Sequence, residues 1–440
     1  MDLLTLKSII ATHKERFLQK KELVKREVFS GVDNYITSRE VIFISGIRRS
    51  GKSSLLALIS NYLFEQKKID AKNLLFVNFE DERFLNFNVE DFEKLYQSYL
   101  ELEDPKGKKY FFFDEIQNID NWERWINRLY EFEDVKIFIT GSNASLIGAS
   151  VSTSLTGRNR QINLHPFSFS ESLLLSGIKI RNKDLLLPEK IVEVKRALTN
   201  YMQLGGFPEV IKNKDLSLAD QYFKDIIYRD IISNYNIRNI KELRELTLFL
   251  ITNSGSLSSY ETLRKTINAK NTTTIKNYLN ILEDVYLIHS LPKFDYSIKK
   301  QIYNPKKYYV TDLGFYNAVS FKFSENIGII LENIVFEQLL RYNKNLFYWK
   351  TDDDKEIDFI VQEQRKLTEA YQVTYNLSNQ NYEREVRSLI SISEKTPDIN
   401  CYILTYEQEE IIETENVKIE VLPIWKWLLQ KRKNNVPGNN

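Results

Sequence analysis

The chain has 440 residues, too many for a single hydrophobic core, and a length of this order predicts about three domains. Its 61 Lys and Arg against 60 Asp and Glu leave a net charge of +1, which excludes a global basic field that would gather nucleic acid; any such contact must come from local patches. A single cysteine, Cys401, excludes an intrachain disulfide and a cysteine-rich zinc site.

The first segment, MDLLTLKSIIATHKERFLQKK, has no continuous apolar run of the signal-peptide kind. No later window approaches the roughly 18–20 uncharged apolar residues of a membrane span, so a soluble, cytoplasmic protein with no membrane partner is expected. Residues 1–36 read as a charged amphipathic helix and linker, with Leu6, Ile9, Ile10, Phe17 and Leu23 as a loose apolar stripe. Four strand-like runs follow, alternating with helical patterns: VIFIS (41–45), LLFVNF (74–79), YFFFDE (110–115) and VKIFITG (135–141). Runs this apolar suit strands buried on both faces of a parallel sheet, so 37–190 is expected to be one α/β domain.

GIRRSGKS at 46–53 fits G-x-x-x-x-G-K-[ST], directly after VIFIS and before the helical SLLALISNYLF, which is the strand–loop–helix setting that a P-loop needs. Gly46 and Gly51 let the amides of Ile47, Arg48, Arg49 and Ser50 curl around phosphate oxygens, and the following helix adds its positive end through Ser53 and Ser54. Lys52 is placed to reach the β- and γ-phosphates of ATP and Ser53 to hold Mg²⁺. The second acidic requirement is met by YFFFDEIQ: Asp114 on Mg²⁺ through water, Glu115 as the general base that polarises the attacking water. Asn143, just beyond VKIFITG, is a candidate to orient that water, against the alternative of an Asx turn leaving a strand. In SLTGRNRQINLHPFSFSE, Arg158 is the first choice for an arginine finger given in trans to a neighbouring copy, which demands a homo-oligomer; the alternative is a local salt bridge.

GIRRSGKSS, VNFEDERF, DEIQNIDNWERWINRLY, ITGSNASLI, LTGRNRQINLHPFSFSE, GGFPEV, YRDII and EIDFIV occur in this order. Together they resemble the bacterial and archaeal AAA+ ATPases that carry a C-terminal nuclease-like domain, over roughly residues 35 to 425. The resemblance implies an α/β P-loop AAA+ core with a parallel sheet, a helical, winged-helix-like middle region over 191–312, and an α/β restriction-endonuclease-like domain over 313–430, before a polar tail over 431–440. The middle region supports part of this independently. SLSSYETLRKTINAKNTTTIKNYLNILEDVYLIHSL has the outline of a helix-turn-helix with a wing. Lys270, Thr272, Thr273, Thr274 and Lys276 cluster where a recognition helix would meet DNA, although such modules also serve as lids or protein contacts. Lys299, Lys300, Lys306 and Lys307, interleaved with tyrosines, form a candidate phosphate-binding patch.

For the terminal domain the resemblance implies a PD-(D/E)XK fold, in which two acids hold a divalent metal and a lysine two positions after the second steadies the attacking hydroxide. Glu332 opens the helix ENIVFEQLLR, and Glu356 and Asp358 share one face of a strand. The acid-x-lysine slot, however, holds Gln372 and Thr374, so the site departs from the pattern. An inactive fold used for binding and a working site with a relocated lysine, such as Lys355 or Lys366, both stay open. The functional expectation is ATP hydrolysis coupled to DNA binding or remodelling; the alternative is a nucleotide-dependent switch or scaffold whose inactive terminal domain binds protein.

Overall fold

The computed structural model describes residues 1–20, 23–143, 155–320, 326–342, 345–351, 355–414 and 417–430. The expected polar tail therefore lies outside the described residues. The chain divides into two compact units, 1–166 with 284–286, and 167–283 with 287–440. The expected boundary at 190 falls inside the second unit, on the helix Pro188–Leu204.

The first unit is built on five parallel strands in the order β2-β3-β4-β1-β5: β1 (Val41–Ser45), β2 (Leu74–Asn78), β3 (Lys109–Asp114), β4 (Val135–Gly141) and β5 (Asn159–Asn163). Their apolar runs are continuous because both faces are covered, and successive side chains serve opposite cores. Val41, Phe43, Phe111, Phe113, Ile137 and Ile139 join the core that contains Trp122, Trp125 and Leu129 of the helix Trp122–Phe132. Ile42, Ile44, Phe112 and Phe138 point the other way, onto Leu55, Leu56, Ile59 and Leu63 of the helix Lys52–Glu65.

The helix Leu3–Leu18 belongs to this body rather than to a separate linker. β2 is an edge strand, which would present unpaired backbone if left bare. The helix packs along it, with Leu6, Ile9 and Ile10 in one core and Phe17 stacked on Phe76 at 3.8 Å in the other.

The second unit begins with helices and then holds a three-stranded antiparallel sheet, β6-β8-β7: β6 (Leu257–Ser258), β7 (Ile288–Leu291) and β8 (Lys306–Val310). The helices Ile240–Thr252, Tyr260–Thr266 and Thr272–Asp284 are interleaved with its strands. A six-stranded mixed sheet follows in the order β13-β14-β12-β11-β10-β9. Its strands are β9 (Asn345–Lys350), β10 (Glu356–Glu363), β11 (Lys366–Val373), β12 (Asn400–Thr405), β13 (Glu410–Glu413) and β14 (Lys418–Pro423). The helix Tyr382–Lys395 covers one face through Val386, Leu389 and Ile392, against Ile357, Ile360, Ala370, Cys401 and Ile403. The helix Ile327–Leu340 brings Phe336 against Tyr309 of β8, centroids 4.1 Å apart, and both rings lie near Phe359 of β10. Among the described residues, no helix is long and apolar enough to cross a membrane.

Candidate functional site

The first unit gathers its polar side chains at the carboxyl ends of β1, β3 and β4, where parallel sheets place their ligands. β1 is buried throughout and runs into Gly46, whose φ of +149° suits glycine alone. A Cβ there would sit 2.2 Å from the carbonyl oxygen of Leu164, the residue that continues β5 and donates its own N–H to Ser45 O at 2.7 Å. Sheet pairing therefore presses a neighbouring strand against the loop and leaves no room for a side chain. Arg49 and Gly51 also have positive φ, at 69° and 98°, so the loop turns back before the helix Lys52–Glu65 begins.

Lys52 is buried, and its ammonium donates to the carbonyls of Gly46 and Ile47 at 3.0 and 3.3 Å while lying 3.5 Å from Glu115 Oε1. Asp114 ends β3, in register with Asn78 on β2, and Glu115 takes a left-handed φ of 52°, which turns consecutive carboxylates to different partners. Thr140 on β4 links the two acids: its hydroxyl donates to Asp114 Oδ1 and accepts the Glu115 N–H at 3.0 Å. Gln117 donates to Glu115 Oε2 at 2.6 Å.

These surroundings push the acids apart. Burial raises the Asp114 pKa, the adjacent Glu115 charge raises it further, and the hydroxyls of Ser53 and Thr140 oppose both. Burial is also the largest single influence on Glu115 and acts upward, but the Lys52 ammonium, the Gln117 hydrogen bond and the Arg48 charge together outweigh it and leave the carboxyl below its ordinary value. Glu115 is thus kept as a ready acceptor, while for Asp114 burial and the Glu115 charge prevail over the Ser53 and Thr140 hydroxyls and the Lys52 charge.

The expected residues are brought together: Gly46, Lys52, Ser53, Asp114 and Glu115 meet at the carboxyl ends of the central strands. Ser50 is fully buried, with an Oγ that makes no hydrogen bond among the described residues. Asn143 is buried two residues past β4, between the ends of β1 and β3. Arg48 pairs with Glu80 at 2.9 Å. Arg158 holds Glu131 Oε1 at 2.5 Å and Asn127, with its guanidinium over the Tyr130 ring, so its observed partners are local.

Two supports escaped the sequence reading. Thr140 sits inside an apolar strand pattern with no motif to mark it. Arg26, buried ahead of β1, donates to Ser50 O at 2.9 Å and His165 O at 2.6 Å, clasping the loop from outside. A third contact runs from the first helix. His13 Nδ1 accepts the Asn78 N–H at 3.2 Å and its Nε2 lies 2.9 Å from Asp81 Oδ2. The next amide, Phe79, donates to Asp114 O at 2.9 Å.

In the second unit, Glu332, Glu356 and Asp358 do converge, but the lysine among them is neither Lys355 nor Lys366. It is Lys307 of β8, 5% exposed, with Nζ 3.2 Å from Glu332 Oε1, 2.9 Å from Glu356 Oε1 and 3.3 Å from Asp358 Oδ1. Lys307 therefore leaves the proposed basic patch: strand alternation turns it inward while Lys306 is half-exposed. Gln372 is no ligand either. Its Oε1 accepts the Asp358 N–H at 3.0 Å and its amide donates to Glu356 O at 2.9 Å, closing β11 onto β10 by its side chain. Burial, then the Asp358 charge, push Glu332 up to about 7, with Lys307 opposing.

Residues 38–173 match an AAA domain, 195–326 a domain of unknown function (DUF8612) and 327–427 another (DUF4143). The chain is 33% identical over 429 residues to Uncharacterized protein MJ1544 of Methanocaldococcus jannaschii, covering 93% of this chain and 92% of that protein. An uncharacterized protein of Haemophilus influenzae is 30% identical over 421 residues, 93% of this chain and 100% of the other. Among solved structures, the Aeropyrum pernix ORC2 protein in its ADP form is similar at 11% identity and TM-score 0.37, covering 73% of this chain and 98% of that one. The Aeropyrum pernix ORC1 protein in complex with DNA is similar at 11% identity and TM-score 0.29, covering 70% and 92%. Likenesses this loose transfer no function.

Proposed function

This chain belongs to the family of AAA-domain proteins that includes MJ1544 of Methanocaldococcus jannaschii, and from that premise we propose that it binds ATP with Mg²⁺ and hydrolyses it. The observation that carries the reading is the convergence of Lys52, Asp114 and Glu115 beneath the Gly46–Gly51 loop, with the lysine and the glutamate 3.5 Å apart. The donor set suits the cation: the Ser53 hydroxyl and the Asp114 carboxylate, themselves hydrogen-bonded, are the hard oxygens that Mg²⁺ prefers. Bound there, Mg²⁺ supplies charge neutralisation across the phosphate oxygens. The loop amides and Lys52 hold the triphosphate, Gln117 and the Glu115 backbone fix the carboxylate direction, and Glu115 accepts the proton of the attacking water. Asn143 orients that water, and Arg158 acts in trans in a homo-oligomer. The test is a pair of variants: Lys52→Ala loses nucleotide binding, whereas Glu115→Gln keeps binding and loses turnover. Equal loss of binding in both removes the assignment.

ATP turnover is further read as coupled to DNA contact. The order helix, strand, two helices, strand, short helix, strand across residues 240–310 suits a winged helix, with Lys270, Thr273 and Lys276 exposed around the start of the helix Thr272–Asp284. Salt-dependent retention on DNA and a changed ATP turnover with double-stranded, single-stranded or branched DNA are the expected results. Their absence favours the second reading, a nucleotide-dependent switch whose nuclease-like terminal domain binds protein. The blocked acid cluster around Lys307 supports that alternative.

A further inference from the structure

The carboxylate cluster of the second unit is assembled from three elements. Glu332 comes from the helix Ile327–Leu340, while Glu356 and Asp358 come from β10. β10 changes its register with β9 between Ile357 and Ile360. Ile357 and Ile360 therefore both enter the core under the helix Tyr382–Lys395, and the extra residue lets Asp358 and Phe359 turn together toward the helix Ile327–Leu340. Lys307 and Tyr309, two apart on β8, reach the cluster from one face of that strand, and the Tyr309 hydroxyl donates to Glu332 Oε1 at 2.6 Å.

Three carboxylates at this spacing repel one another unless a cation stands among them. An ammonium has three protons to give, and Lys307 meets three carboxylates within 3.3 Å. The outer oxygens are also engaged: Asp358 Oδ2 accepts the Val373 N–H at 2.9 Å, and Lys350 Nζ lies 3.5 Å from Glu356 Oε2. A divalent cation would need the same inner oxygens at about 2.0–2.6 Å, and the ammonium fills that space. The residues present therefore do not fit a resident metal.

We infer that Lys307 is the resident cation of this cluster, standing where a divalent metal would sit, so that the terminal domain holds no metal while β8 is docked and gains a metal site when Lys307 is removed. The ammonium also ties the three-stranded sheet to the mixed sheet, so any displacement of β8 would expose three hard oxygen ligands. This inference stands independently of ATP hydrolysis by the first unit.

The experiment measures Mn²⁺ bound per chain, by its electron paramagnetic resonance signal, in the full-length nucleotide-free protein, in Asp358→Asn, in Lys307→Met and in the double variant. Thermal unfolding with and without Mn²⁺ is recorded on each. Asp358→Asn is expected to leave the Mn²⁺ count of the parent unchanged. Lys307→Met is expected to gain one Mn²⁺ per chain and to melt several degrees higher with Mn²⁺ than without, and the double variant to lose both effects. A parent count that falls by one in Asp358→Asn overturns the inference, as does a folded Lys307→Met that gains no ion. Should Lys307→Met fold only with Mn²⁺ present, the inference is upheld; should it not fold at all, the parent and Asp358→Asn comparison decides by itself.

Discussion

Lys52 Nζ lies 3.5 Å from Glu115 Oε1 while donating to the carbonyls of Gly46 and Ile47, so one ammonium serves both the loop and the acid beyond it. Removing either end has different consequences. Lys52→Ala is expected to weaken ATP binding by at least about tenfold, roughly 1.4 kcal/mol, in an equilibrium titration. Glu115→Gln keeps a hydrogen-bonding group of the same length and is expected to preserve affinity, with turnover falling about 10²–10⁴-fold.

Thr140 is expected to matter more than its place in an apolar strand suggests. Thr140→Val keeps the volume but strips the hydroxyl that accepts the Glu115 N–H and donates to Asp114. A buried amide left without a partner costs about 1–3 kcal/mol. Denaturant unfolding should report a loss of that size, and turnover should fall while ATP affinity changes less. Unchanged turnover would separate Thr140 from the acid pair.

His13 gives the first unit an acid-sensitive joint. The Asn78 N–H points at Nδ1, so the neutral ring carries its proton on Nε2, facing Asp81, and a second proton would meet an amide donor head-on. Burial is the largest influence and lowers the pKa from its ordinary 6.5; the Asp81 carboxylate opposes it, and Arg83 and Arg16 add to it. A depressed folded-state value means that the unfolded chain takes up a proton which the folded chain refuses. Stability is therefore expected to fall as pH drops below 6.5, by at most about 1.4 kcal/mol per pH unit, and to be flat above it. His13→Gln, which offers an acceptor and a donor of similar reach, should flatten the slope between pH 6.5 and 5 in chemical denaturation.

Arg158 is half-exposed, and its pairing with Glu131 is worth only about 0–1 kcal/mol, so releasing the guanidinium to a neighbouring copy is cheap. If it acts in trans, Arg158→Ala should reduce turnover at high protein concentration while leaving ATP affinity intact. Turnover per chain that does not vary with concentration, in a protein shown to be monomeric, would dismiss the role.

The residues proposed to hold the nucleotide were legible as a cluster because their pattern is local: a glycine-bounded loop after a buried strand and a paired acid ending another are written in contiguous letters. Their supports were not, since Arg26, Thr140 and His13 reach the site only through sheet order and the docking of the first helix. That helix and its apolar stripe of Leu6, Ile9, Ile10 and Phe17 were legible, but nothing in its periodicity says that an edge strand awaits it. Lys307 shows the same limit more sharply. KKYYV presents two adjacent lysines, and period-2 alternation says only that one of them faces inward; that it faces three acids from elements some 25 to 51 residues later is a tertiary fact.

The clasp of Arg26 on the Ser50 and His165 carbonyls has a bearing on modularity. The matched AAA domain begins at residue 38, yet the guanidinium that braces its phosphate loop and the imidazole that props β2 are both encoded upstream of it. Cutting the gene at that boundary would deliver the recognisable motif without its scaffolding. A fragment starting at 38 that bound ATP poorly would then report a missing brace, not a defective loop.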